Sequence, residues 1–291
     1  MPGLACAATA VMIAHVGAVT AHIRVGAGGV MLPNHAPLVV AEQFGTLDAL
    51  YPGRIDLGLG RAPGTDPLTV RALRRNVHEA EHFPDALAEL LGYLRPPSHE
   101  ALVRALPGEG ACVELWILGS SLMGARVAAL HGLPFAFASH FAPAMCARAL
   151  EVYRCFFRPS ERLTRPRVML GVNVVAADTD AEAKLLLTSL QQEVLARRHG
   201  RREPLPPPVE GFWEQLSPDE RAVLDHELAA TAVGSPATVR QELTRFIERY
   251  DADELIVSTP VFELSARLRS LSLTAAAMGL DAKETVRPHP G

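Results

Sequence analysis

The chain has 291 residues, 48% of them apolar and 21% charged, with a formal net charge of −4. These values fit one large globular domain and give no reason to expect nucleic acid or an anionic membrane as partner. Cys6, Cys112, Cys146 and Cys155 lack metal-type spacing, which predicts free thiols in a reducing cytoplasm.

The run Leu4 to Val19 is apolar, but it has no basic leader, contains His15 and is short for a membrane span. It predicts a buried, alanine-rich helix. A strand over His22 to Val30 follows, with Ile23 and Val25 flanking Arg24. The loop Pro33 to Pro37 leads into a helix whose apolar stripe is Val40, Phe44, Leu47 and Tyr51, stopped by Pro52-Gly53. Ile55, Leu57 and Leu59 alternate as a strand should, over Arg54 to Gly60. A long helical region is expected from Leu68 to Tyr93.

Further strands are expected over Glu114 to Leu118, Phe135 to Ser139, Val168 to Ala176 and Glu254 to Ser258. Helices are expected over Leu122 to His131, Ala144 to Phe157, Asp180 to Arg198, Ala237 to Arg249 and Glu263 to Met278. Strands alternating with helices predict a parallel α/β sheet. The basic and proline-rich stretch Arg197 to Glu220 cannot continue a helix. It reads as a surface loop, or as a lid over 199–220 with Phe212 and Trp213 dipping into a pocket.

Three strand ends carry the candidate chemistry. Gly28 and Gly29, within Val25 to Val30, leave room for a flat ligand or for close strand packing. Arg61 carries a fixed charge out of its strand end, suited to a phosphate or to an ion pair with a neighbouring loop. Gly119-Ser120-Ser121 opens a helix, either as an anion-binding turn or as an ordinary serine cap. His140 lies just beyond a strand end, near the pocket mouth, and reads equally as a catalytic group or as a hydrogen-bonded structural residue, with His35 a weaker catalytic candidate. His78 and His82 are i, i+4, but beside Glu79 and Glu81 they read as a solvated face with no metal. Neither Gly26-x-Gly28 nor Gly58-x-Gly60 completes GxGxxG, and no Walker A, HExxH or GxSxG motif occurs.

The run EQFGTLDALYPGRIDLGLGRAPGTD (42–66) resembles the flavin-dependent luciferase-like monooxygenases. So do VGAGGVMLPNHAPLVVAEQ (25–43), LWILGSSLMGARVAALHGLPFAFASHF (115–141), GVNVVAADTDAEA (171–183), VGSPATV (233–239) and DELIVSTP (253–260).

The resemblance implies a (β/α)8 TIM-type barrel over 1–280 with a C-terminal tail, 281–291. It implies reduced FMN as cofactor, with deazaflavin F420 the less favoured alternative. Oxygen and a small organic substrate would be the reactants, with a separate flavin reductase as partner. It also implies a cis peptide at Gly28-Gly29, a phosphate contact from Arg61, and a homodimer formed through the helices Ala5 to Thr20 and Leu38 to Leu50. Related sequences carry a further hydroxyl where this chain has Leu122, Met123 and Gly124. The family's opening strand-helix-strand, with its acidic-histidine motif, has no counterpart before Met1. An N-terminally truncated barrel with about six of eight strands is therefore expected, either because the start codon is set too late in an otherwise normal enzyme or because the barrel is itself shortened. Its function would be that of an oxidoreductase or of a flavin-binding remnant.

Overall fold

The computed structural model describes residues 8–62, 66–97, 101–201 and 203–280. Residues 1–7, which include Cys6, residues 63–65 and the tail 281–291 lie outside the described residues.

Helix α1 (Thr9–Val19) precedes β1 (Val25–Met31), α2 (Pro37–Leu50) and β2 (Ile55–Gly60). Next come α3 (Pro67–Ala72), α4 (Phe83–Tyr93), β3 (Glu114–Gly119), α5 (Leu122–Leu130), β4 (Phe135–Phe137) and α6 (Cys146–Phe156). The chain continues with β5 (Val168–Ala176), α7 (Asp180–Arg198), α8 (Phe212–Gln215), α9 (Pro218–Glu227), β6 (Thr231–Gly234), α10 (Pro236–Tyr250), β7 (Glu254–Ser258) and α11 (Leu264–Ala277).

All strand pairings are parallel and run β1-β2-β3-β4-β5. Strand β5 then serves two partners along one edge. Its first half, from Met169 to Asn173, pairs with β7, and its second half, from Asn173 to Ala176, pairs with β6. The sheet curls, bringing Ile256 of β7 across from Gly28 of β1: a Cβ built on Gly28 would lie 3.8 Å from the Ile256 Cδ1. Among the described residues, no further strand pairs with the outer edges of β1 and β7.

The period-two alternation of the strands separates two faces. Leu57, Leu59, Leu115, Ile117, Phe135, Phe137 and Leu170 face outward and pack beneath the helices on Phe44, Leu87, Leu90 and Tyr153. The inward face carries small residues, Gly26, Gly28, Ala136 and Gly171, and so leaves a hollow lumen. Helix α1 is docked by Arg54, which donates to the Thr20 carbonyl at 2.9 Å, and by the Tyr51 hydroxyl, which donates to the Ala14 carbonyl at 2.8 Å.

Four expectations are corrected. The α1 segment is not a buried helix: only Ile13 and Gly17 are buried, while Val11 is 67% exposed. Leu68 to Tyr93 is not one helical run, because Arg74 adopts φ 56 and Asn76 caps a separate 3-10 turn over Val77–Ala80. A further strand, β6, joins the six read from the sequence. Finally, Phe212 and Trp213 do not reach the lumen; they pack with Leu190, Val194 and Leu224 of α7 and α9.

Cys112 and Cys155 are exposed free thiols, and Cys146 is buried, which pushes its thiol up to about 11. Among the described residues, no helix is long and apolar enough to cross a membrane, and no cluster of side chains could hold a metal ion. His78 and His82 instead face solvent beside Glu81 and Asp85.

Candidate functional site

The lumen is a cavity of about 490 Å3 running between the two ends of the strands. At the N-terminal end it is floored by charges. Arg24 donates from Nε to Asp56 at 3.1 Å and lies 3.9 Å from Glu114. Arg167 bridges Glu114 and Glu254 and stands 5.0 Å over the ring of Trp116. Each of these residues starts, or lies close to the start of, its strand, so the side chains form a collar spanning β1 to β7.

At the opposite end the lumen meets His140, Phe141 and Ser258. The seat of His140 is built from both neighbouring strands. The Ser139 hydroxyl and the His140 backbone N–H both donate to the Gly171 carbonyl. This double bond to one acceptor ties the end of β4 to β5 and lays the imidazole over Gly171. The ring is 4.1 Å from that of Phe141, centroid to centroid.

Nδ1 of His140 is buried and has no hydrogen-bond partner. Burial pushes the imidazole below its usual pKa; the nearby Gly171 carbonyl opposes this in part without meeting hydrogen-bond geometry at Nδ1. The ring is therefore neutral at pH 7, with Nδ1 enclosed against Gly171 while another part of the ring lines the cavity.

Of the three segments singled out in the sequence, Arg61 and Gly119 to Ser121 lie at the C-terminal ends of the adjacent strands β2 and β3, and Gly28-Gly29 lies within the neighbouring β1. Gly60 of β2 is in register with Met31 of β1 and with Leu118 of β3, so Arg61 follows next to Gly119. Arg61 is exposed and makes no ion pair or hydrogen bond among the described residues, so the ion-pair alternative finds no partner there. Ser121 is the N-cap of α5, yet its side chain caps no backbone N–H. The hydroxyl and the first-turn amides are thus left for another acceptor or donor.

Gly28 and Gly29 divide the two readings of the glycine run between them. The peptide joining them is cis. A Cβ on Gly29 would stand 2.6 Å from the Gly58 carbonyl oxygen, so Gly29 serves close strand packing. Gly28 faces the open lumen. Of the sequence candidates, Gly28 and His140 line the cavity, whereas Arg61, Ser120 and Ser121 lie outside its wall. His35 is exposed after the 3-10 turn and does not line it either.

Sequence reasoning overlooked the charged collar and the role of Gly171. A signal for the first was present: Asp56, Glu114 and Glu254 each place a charge at or near a strand's first residue, and Arg24 and Arg167 each immediately precede one.

A family model described as luciferase-like monooxygenase matches residues 2–252. The Bacillus subtilis protein YvbT is 51% identical over 274 residues, covering 94% of this chain and 82% of that protein. A luciferase-like monooxygenase of Escherichia coli strain K12 is 47% identical, covering 98% and 84%. Among solved structures, apo-MsnO8 matches with a TM-score of 0.84 at 36% identity, over 96% of this chain and 83% of that one. Two more distant likenesses show the fold alone. One is the oxygenating constituent of the 3,6-diketocamphane monooxygenase of Pseudomonas putida in complex with FMN, at TM-score 0.65 and 22% identity over 91% and 81% of the two chains. The other is an F420-dependent secondary alcohol dehydrogenase, at TM-score 0.66 and 12% identity over 92% and 83%.

Proposed function

The chain belongs to the luciferase-like monooxygenase family, and from that membership we propose that it binds reduced FMN and uses oxygen to oxidise a small organic substrate. The observation that carries this reading is the unspent donor set at adjacent strand ends: an exposed guanidinium at Arg61 and an uncapped helix start at Ser121. Together these suit a phosphate, since bidentate guanidinium bonds and first-turn amides both favour an anion.

Arg61, Ser120 and Ser121 would hold the phosphate, and the backbone of Gly28 and Gly29 would lie against the flat ring. Once bound, the flavin supplies the electrons and the oxygen chemistry, which no side chain here can provide. The protein's own share is orientation and exclusion of water. His140, neutral and lining the lumen mouth, accepts or donates one hydrogen bond to the substrate there.

The reduced cofactor would come from a separate flavin reductase. A homodimer is supported by the exposed apolar residues of α1 and α2, which include Val11 at 67% and Leu50 at 59%; such surface otherwise stays in contact with water.

The test is a fluorescence titration of the purified protein with FMN and, separately, with F420, followed by oxygen consumption from chemically reduced FMN. Saturable FMN binding with protein-dependent turnover of a substrate is the expected result. FMN binding without turnover of any substrate leaves a flavin carrier. Preference for F420 replaces the cofactor, and binding of neither ends the reading.

A further inference from the structure

We propose that the proline strap between α7 and α8 is a docking ridge for a protein partner that presents a groove of parallel aromatic side chains, closed at one end by carboxylates. The ridge is no part of the lumen wall, and its binding does not depend on the oxidoreductase reading.

From Glu203 to Val209 the chain forms no helix, strand or turn. Pro204, Pro206, Pro207 and Pro208 each have φ fixed near about −65°. Glu203, Leu205, Pro206 and Pro207 are confined further because a proline follows each of them. Every residue from 203 to 208 is thereby restricted to extended backbone, for which the polyproline II helix is the regular form.

That helix turns once in three residues, so every third side chain shares a face. Burial follows this period. Pro204 and Pro207 are exposed, whereas Leu205, Pro206 and Pro208 are half-buried. The strap is pinned from below: Gln192 Nε2 donates to the Pro207 carbonyl at 3.0 Å, and the Val209 backbone N–H donates to the Thr188 hydroxyl at 2.9 Å. The ridge is ordered before any partner arrives, which removes much of the entropic cost of docking.

The chemistry of the strap narrows the occupant. Strand addition fails, because four of the residues from Pro204 to Pro208 are prolines with no N–H to donate. A bilayer gains little, since Leu205 is half-buried and the exposed residues are prolines. Pyrrolidine rings about 9 Å apart, from a rise of ~3.1 Å per residue, suit the slots between parallel aromatic rings. The carbonyls of Pro204, Leu205 and Pro206 have no partner among the described residues, so they can accept from an indole N–H or a phenol.

Charge sets the direction. The strap is entered through Arg197, Arg198, Arg201 and Arg202, tempered by Glu203, and is left through Glu210. Arg197 is held by Glu193 at 3.3 Å. Arg198 and Arg201 are exposed, and their guanidinium groups have no partner among the described residues. Cations at the N-terminal end call for carboxylates at one end of the groove, so the partner docks in a single orientation.

The purified full chain is titrated calorimetrically with three isolated probes: an SH3 domain that has an acidic specificity pocket, a WW domain and an EVH1 domain. Saturable binding to the SH3 domain is expected, and it should vanish when the tryptophan of that domain's groove is replaced by alanine. Pro204→Ala combined with Pro207→Ala should weaken it about tenfold, as loss of anchoring side chains does. The half-buried Pro206→Ala should change it little.

Arg201→Glu should weaken binding roughly threefold, with the difference narrowing as salt is added. Melting transitions confirm that each variant is folded; should the double variant fail, Pro204→Ser replaces it. Absence of binding by all three domains overturns the proposal. So does binding that survives loss of both exposed prolines, or that Pro206→Ala weakens equally. Phosphatidylserine vesicles are titrated in parallel, and binding to them without binding to any domain assigns the arginines to a membrane surface and also overturns it.

Discussion

The imidazole of His140 rests directly on Gly171: a Cβ added to Gly171 would stand 2.3 Å from Nδ1. No heavy atoms tolerate that separation, so the absence of a side chain at 171 is what allows the ring its place. Gly171→Ala should therefore expel the imidazole from its seat. Overpacking of this kind costs about 1–3 kcal/mol. Urea unfolding should show the loss, and the His140 ring proton resonances should move toward those of a solvent-exposed histidine. Unchanged resonances would show that the seat is not formed this way.

The neutral state of His140 has a pH signature. Burial lowers the folded pKa below the ordinary value of 6.5, and His131 is lowered by the same cause. Below 6.5 the unfolded chain binds protons that these rings refuse, so their contribution is complete above that pH and is lost as pH falls through the folded values. Stability should decline on acidification in that window. The decline should be shallower in His140→Gln, and shallower still when His131 is replaced too. Denaturant midpoints measured from pH 7.5 to 5 check this, and identical slopes in all three proteins would contradict it.

Arg61 offers a clean separation of binding from folding. It is exposed and makes no ion pair among the described residues, so Arg61→Ala should leave the melting temperature unchanged. FMN affinity should fall by about 1.5–3 kcal/mol, the range for a charge-assisted hydrogen bond. Isothermal titration gives the dissociation constant directly, and an unaltered constant would remove Arg61 from the phosphate.

Arg167 should behave in the opposite way. It joins Glu114 on β3 to Glu254 on β7, with side chains about one-third exposed. Arg167→Met leaves the two carboxylates with only Arg24, which is already held by Asp56 and lies 3.9 Å from Glu114, as counter-charge. The cost should be about 1–3 kcal/mol, between that of a surface pair and that of a fully buried one because water still screens it. Adding salt should recover part of the loss, since the remaining repulsion is screened. Chemical denaturation at low and high ionic strength reads both effects.

Much of the framework was legible because local pattern and tertiary role agree. In β5, Val168 to Ala176 is a near-continuous apolar run in a strand buried on both faces, and its ends match the expectation. Helix α7 begins at Asp180, whose predecessor Thr179 caps it, and ends at Arg198 before Gly200. Strand β6 was missed because Thr-Ala-Val-Gly is too short to show a period; it is a strand only because the upper half of β5 has an edge free for it.

The site divides in the same way. Gly28, which lines the lumen from the middle of β1, and Arg61, exposed just after β2, were singled out from the glycine run and the strand end that carry them. The seat of His140 could not, because it depends on a glycine 31 positions later that becomes its neighbour only when β4 and β5 pair. Phe212 and Trp213 were expected in the pocket because aromatic residues in a proline-rich stretch suit that place. Here Val209 donates to the Thr188 hydroxyl at 2.9 Å, strapping the segment to α7 and turning both rings toward that helix.

The collar of Arg24, Asp56, Glu114, Arg167 and Glu254 bears on how this lineage can change over generations. Loss of any single member strands its partner, so tolerated substitutions there should arrive as matched sets rather than singly. Descendants that have exchanged this ionic ring for an apolar one would have had to pass through a second, compensating mutation, leaving correlated changes at positions as far apart in the chain as 24 and 254.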